Sequence, residues 1–271
     1  MARSLISQAR LLDMTETSTV YSIVLALLFA VAAGLVGSFA LMKRMILGAD
    51  VISHVALPGL GLAFLWHFNP LLGGGAALFL GTLLIWQLQK KESFSTEVAI
   101  GVVFAGSVAI GAALTPKEDL VEVFFGKFEQ ISGFTFLVGV MAVAVIVYFI
   151  LRFKSALILN LFSPELAAAT GIKLNRLNLL FLLAFSLTVL IGLRFMGALL
   201  AGALIIIPAA TGRRLADSIW MFLFASTLAS VLAVGIGFLL NAFVFRNIGL
   251  APTIVMVSTL LFCLSLIRSR T

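Results

Sequence analysis

Two side chains could do chemistry in a stretch where almost nothing else can. They are Asp50 and His54, in Gly48-Ala49-Asp50-Val51-Ile52-Ser53-His54-Val55-Ala56-Leu57-Pro58-Gly59. The surrounding segment is apolar, and an Asp near the centre of a membrane-spanning helix costs about 2.5–3.5 kcal/mol on insertion scales. A cost of that size calls for a partner, a cavity or a task. Residues four apart share one helical face, so the carboxylate and the imidazole can converge on one point. That pair suits zinc, manganese or ferrous iron, and the absence of a thiolate argues against copper(I). Two other readings stay open on spacing alone: a buried structural hydrogen bond between the two side chains, and proton handling. Pro58, Gly59 and Gly61 are expected to loosen the helix and free backbone carbonyls toward a cavity. His67, the other histidine, stands beside Asn69 and Pro70 and reads as a solvated loop residue.

The elements that must hold such a pair are legible from the bulk of the chain. Of 271 residues, 62% are hydrophobic and 11% charged, with a mean hydropathy of +1.21. Soluble domains carry about a quarter charged residues, so this chain cannot cover a soluble surface. Apolar runs fall near 19–41, 47–66, 71–89, 96–115, 135–151, 174–192, 195–211, 219–241 and 252–268. Each full-length run can cross a hydrocarbon core of about 30 Å. The alternating segments of a membrane β-barrel are missing. The fold class is therefore all-α: a polytopic transmembrane helical bundle of about 8–9 spans. The runs 47–66, rich in polar and Gly/Pro positions, and 195–211, which is short, are expected to be partial or broken helices.

Residues 1–18 form an N-terminal extramembrane segment and 19–271 the transmembrane domain. Residues 1–17 have no apolar core of signal-peptide length, so no cleaved signal is expected. The net charge of +7 is spread between the apolar runs, which fits topology beside membrane lipid and not a nucleic-acid patch. Cys263 has no cysteine partner in the chain. With the N-terminus outside, the inner side collects Lys43, Arg44, Lys90, Lys91, Arg152, Lys154, Lys173, Arg176, Arg213, Arg214, Arg268 and Arg270. The outer side holds Arg3, Arg10, Lys117, Lys127, Arg194 and Arg246. Twelve against six, out of 18 Lys and Arg, predicts N-out and C-in. No segment is long and polar enough for an ATPase or a soluble catalytic domain, so driven work needs another polypeptide.

Two further stretches carry signals. Ser163-Pro164-Glu165-Leu166-Ala167-Ala168-Ala169-Thr170-Gly171 reads as a short capped helix. Ser is the N-cap, Pro opens the first turn, Glu sits at the positive end and Gly stops it. It is too short to span and falls on the inner side, as a docking element or a plain re-entry turn. Met196 to Thr211 is thin in its first half, with Ala198 and Gly202 one turn apart, and Pro208 is expected to break its last turn. Ala30 with Gly34 and Ala33 with Gly37 repeat that spacing on the first span, as in close helix packing. Gly73-Gly74-Gly75 lacks a following Lys-Ser/Thr and is no phosphate loop.

Together these stretches resemble the metal-type permeases of ATP-binding-cassette importers, the zinc/manganese/iron family. That family's Gly-Asp-x-x-Ser-His-x-x-Leu-Pro-Gly signature is similar to Gly48–Gly59, with Ala49 inserted before Asp50. Its Gly-x-Leu-Leu-x-x-x-Leu-Ile-x-Pro-Ala-Ala stretch resembles Gly197 to Thr211, and its acidic-x-x-x-Gly helix start resembles Glu97 to Gly101. Its coupling helix, Asp-x-Glu-x-Ala-x-x-x-Gly, resembles 163–171, with Ser163 where the family has Asp. The resemblance runs over about residues 20–265. It implies a permease subunit in the bacterial plasma (inner) membrane that imports a divalent metal ion by alternating access. It implies Asp50 and His54 as metal contacts, and Ser163, Glu165 and Gly171 as a cytoplasmic docking helix. It also implies a homodimer of permease chains, a cytoplasmic ATPase subunit and an extracytoplasmic metal-binding protein. The chain binds no cofactor on this reading; the metal is cargo. The rival reading is a secondary ion-coupled transporter using Asp50 and His54 for protons, which an internal repeat would favour; none is evident. An intramembrane metalloprotease would need a His-Glu-x-x-His helix, which the sequence lacks.

Overall fold

A computed structural model of the chain describes residues 2–45, 48–90, 95–114, 132–245 and 248–267. Lys91, Lys117, Lys127, Arg246, Arg268 and Arg270 lie outside the described residues, as do the side chains of Arg3, Arg10, Ala49, Asp50 and Ala198.

Among the described residues ten helices follow in chain order: α1 Ala2–Met42, α2 Gly48–Val55, α3 Leu57–Leu65, α4 Pro70–Gln89 and α5 Thr96–Leu114, then α6 Gly133–Phe162, α7 Pro164–Ala169, α8 Leu174–Leu215, α9 Ile219–Phe243 and α10 Leu250–Ile267. No strand occurs among the described residues. Among the described residues, seven helical segments are long and apolar enough to cross a membrane, beginning with Val20–Met42 inside α1. This is a multi-pass membrane protein. The outward face of α6 shows why: Leu137, Val138, Met141, Val145 and Tyr148 are all exposed, while Gly139, Val143, Ile146 and Ile150 are buried. A helix with an apolar face turned outward suits lipid and not water.

At the centre, α1 packs on α6, α8 and α9. Its small residues make this possible. A methyl group added at Gly34 would meet the Thr227 backbone Cα at 2.6 Å, and one at Gly37 would run into the Ile205 carbonyl. The predicted Ala30/Gly34 and Ala33/Gly37 spacing thus marks helix contacts, as small residues do in membranes.

Two irregularities shape the bundle. The run 47–66 is two short helices, α2 and α3, broken at buried Ala56 with Pro58 in the first turn of the second. The break was expected, but Gly59 has a different role from the one predicted. It lies against Gly73 of α4, backbone on backbone, while Gly74 beside it packs on Leu60 and Ala56. The second irregularity is at Gly197, whose φ of 80° and ψ of 166° interrupt α8. This region of backbone space is essentially reserved for glycine. Residues 192 and 201 would lie about 13.5 Å apart on a straight helix. Here a methyl on Gly192 would sit 2.6 Å from Ala201 Cβ. The helix therefore folds back on itself, and its two arms run antiparallel. The turn between the two apolar runs falls at Gly197, and Pro208, expected to break the last turn, lies inside the returning arm.

Candidate functional site

Asp50 and His54 both belong to α2, four residues apart on one face. The Asp50 side chain lies outside the described residues, so only the backbone spacing is placed. α2 is wedged among α4, α5 and α8. The wedge follows from its composition. Ile52, Ser53 and Val55 are buried, Gly48 lets Ile100 Cδ1 approach a would-be Cβ to 3.3 Å, and Val55 fills the space above Gly81 of α4.

His54 is half-buried and points its ring at Phe104 of α5, edge to face, with centroids 5.6 Å apart. Such contacts orient a ring as well as stabilise it. Phe104 thus forms one side of the imidazole's surroundings. Among the described residues no group of three or more His, Cys, Asp or Glu side chains gathers. A single imidazole from α2 is what the described atoms place here. Glu97 opens α5 and is exposed. His67 is exposed with φ 51° in the turn between α3 and α4, as a solvated loop residue should be.

One end of the bundle is basic. There Lys43 Nζ donates to Asn178 Oδ1 at 2.8 Å, and Asn160 Nδ2 donates to the same oxygen at 3.1 Å. The three residues come from the end of α1, the end of α6 and the start of α8. They line a cavity of about 230 Å³ shared with Gln89 and Thr96. Burial pushes the Lys43 ammonium down to about 8, because desolvation disfavours charge. Sequence reasoning placed Lys43 on the inner side but missed this junction, since Asn160 and Asn178 give no signal until the helices meet.

The same end carries α7. Ser163 Oγ accepts from Leu166 N at 3.4 Å, as an N-cap should, and Gly171 takes φ 82° just past the helix. Ala167 is fully buried beneath it, whereas Glu165, Leu166 and Ala168 face outward. The predicted capped helix is present, with Ser163, Glu165 and Gly171 in their expected places.

The profile of the ABC 3 transport family matches residues 16–269. The manganese import system permease protein ScaB of Streptococcus parasanguinis is 30% identical over 256 residues, covering 90% of this chain and 88% of that one. The high-affinity zinc uptake system membrane protein ZnuB of Haemophilus influenzae is 30% identical over 238 residues, covering 86% and 90%. The structure of PsaBC from Streptococcus pneumoniae in complex with Fab superposes with a TM-score of 0.77 at 24% identity, covering 95% of this chain and 94% of that chain. That likeness bears on the fold, and it spans the whole bundle just described. With a family match reaching nearly from end to end, this chain belongs to the ABC 3 transport family.

Proposed function

We propose that this chain is the membrane-spanning permease subunit of an ATP-driven importer for a divalent transition metal: zinc, manganese or iron. The observation that carries the reading is that relatives matching most of the chain are named as a manganese import permease and as membrane proteins of zinc uptake and manganese transport systems. The chain is a transport subunit. It makes no covalent change to its cargo and holds no cofactor of its own. It resides in a bacterial plasma membrane as a homodimer. ATP is hydrolysed by a separate cytoplasmic subunit, and an extracytoplasmic metal-binding protein delivers the ion.

Nine crossings account for the bundle: α1, the α2–α3 pair, α4, α5, α6, the two arms of α8, α9 and α10. Residues 1–18 stay outside the membrane and 19–271 make the permease domain. The placement of Lys43, Lys90, Lys154 and Arg176 toward one end supports an inner side there, by the positive-inside rule. Asp50 and His54 contact the ion midway, and rocking of the bundle opens the site to either side in turn. Metal uptake tests this directly. The chain is expressed with its ATPase and binding protein in cells lacking their own importers, and accumulated ions are identified by elemental analysis. Uptake of one of the three metals above background is expected; no accumulation of any would overturn the reading.

The helix α7 is the cytoplasmic coupling element, about residues 163–171. Its outward Glu165 and Leu166, with exposed Phe162 beside them, offer a small mixed surface to the ATPase. Glu165→Arg places a cation at the positive end of the helix and reverses the charge shown to the partner. At least a tenfold loss of transport is expected, with ATPase activity uncoupled or the ATPase lost on purification. Normal transport by the intact complex would reduce α7 to a re-entry turn.

A further inference from the structure

We infer that a cavity between α6 and α8 is a binding site for one anionic phospholipid. The cavity measures about 560 Å³ and is roofed by the turn that leads from α7 into α8. Arg152, Lys173 and Arg176 line it, and its lining holds no carboxylate among the described residues. The rest of the wall is mainly apolar, with Phe153, Leu177 and Leu180 prominent. One side of the site thus wants negative charge and the other wants hydrocarbon. Few ligands satisfy both.

The cavity's height relative to the membrane is fixed by neighbouring side chains. Lys90 Nζ lies 3.3 Å from the centroid of the Trp86 ring, and Trp86 Nε1 donates to the Asn175 carbonyl at 2.9 Å. Asn175 adjoins Arg176 of the cavity. On the other flank, Lys154 Nζ sits 4.0 Å over the Trp220 ring, two residues beyond Arg152 on α6. Trp and Lys gather where headgroups meet acyl chains, so both flanks set the cavity at headgroup level. Below it the wall continues into exposed apolar surface. Tyr148 and Leu151 of α6, and Leu180 of α8, all face outward. A phosphodiester can therefore rest among the three cations while its chains follow that strip toward the bilayer centre. Basic pockets between spans on the inner side are suited to such headgroups. Three cations against a single phosphodiester leave charge unmatched. The site should therefore hold a lipid with two phosphates, diphosphatidylglycerol, more tightly than phosphatidylglycerol.

The inference does not depend on which ion the chain transports, so a failed uptake assay leaves it standing. It is tested on the full chain extracted from its membrane in a neutral detergent and exchanged into defined lipid, with bound lipid counted by native mass spectrometry. One diphosphatidylglycerol should be retained per chain and no phosphatidylcholine. The triple variant Arg152→Gln, Lys173→Gln, Arg176→Gln should lower retention at least tenfold, and Arg176→Gln alone about threefold in case the triple variant does not fold. Lys154→Gln, at the same level but outside the cavity, should leave retention unchanged. Wild-type retention by both pocket variants would overturn the assignment, as would equal loss in Lys154→Gln, which points to general surface charge. Displacement of the lipid by millimolar inorganic phosphate would assign the cations to free phosphate. Loss of the ATPase subunit with lipid retention unchanged would assign them to that protein.

Discussion

Replacing His54 by alanine is expected to abolish metal uptake while leaving the protein folded and in the membrane. On the proposed reading Asp50 and His54, four residues apart on α2, would supply two ligands, whereas a structural zinc site usually takes four. A transport site should be under-coordinated, because an ion held too tightly does not leave. Each ligand then carries a large share of a weak site, and losing either should remove more than 95% of uptake, a drop of about 2 kcal/mol or more in the affinity that drives loading. Asp50→Ala should match it. On the same reading, with both side chains acting on one ion, the double variant should be little worse than either. His54 is half-buried against Phe104, so its truncation leaves a modest gap at the edge of the packing and not in the core. Uptake measured by elemental analysis, alongside thermal unfolding in detergent, separates function from folding. Wild-type uptake by well-folded His54→Ala would return the pair to a structural role.

Gly59→Val should have the largest effect on stability. A methyl group at Gly59 lands on the Gly73 carbonyl and within 2.8 Å of Ala77 Cβ, and one at Gly73 comes 3.0 Å from Ala63 Cβ. The obstacle is backbone, so no rotamer change can make room. α3 and α4 would have to separate along their shared face. Overpacking of this kind costs about 1–3 kcal/mol in soluble cores where side chains can still adjust, and the upper end or beyond is expected here. Gly101→Val is the natural control, since nothing lies within 4 Å of a methyl there. The readout is the unfolding temperature in detergent and the yield of monodisperse protein. Equal stability of the two variants would show that the α3–α4 contact is looser than the geometry implies.

Much of this architecture was legible in the chain because its causes are local. An apolar run declares a span through its length, and the run 47–66 declared its weakness through Pro58. The cap of α7 was readable because Ser163 and Gly171 act on backbone a few residues away. The reversal within α8 showed as a gap between the runs 174–192 and 195–211, with Arg194 set outside, but the residue that makes it did not. With 23 glycines in the sequence, nothing local separates Gly197, which turns the chain, from Gly59, which lets two backbones touch. Pro208 drew the expected break to itself because proline usually ends helices, yet tertiary packing keeps it inside the returning arm. At the site, the spacing of Asp50 and His54 gave the face, while Phe104 as the ring's partner lay fifty residues further along. The junction of Lys43, Asn160 and Asn178 was hidden for the same reason. Each is unremarkable alone, and only the meeting of three helix ends gives them meaning.

The turn at Gly197 has a consequence for how the bundle can part. Two antiparallel arms joined through a single residue cannot move away from each other at that end, because there is no slack to spend. They can splay only at their free ends, where Leu174 and Leu215 stand near Lys173, Arg213 and Arg214. The pair is built like tweezers, hinged at the tip beside Arg194 and open toward the basic end. Any gap that forms between these arms must therefore widen in one direction alone.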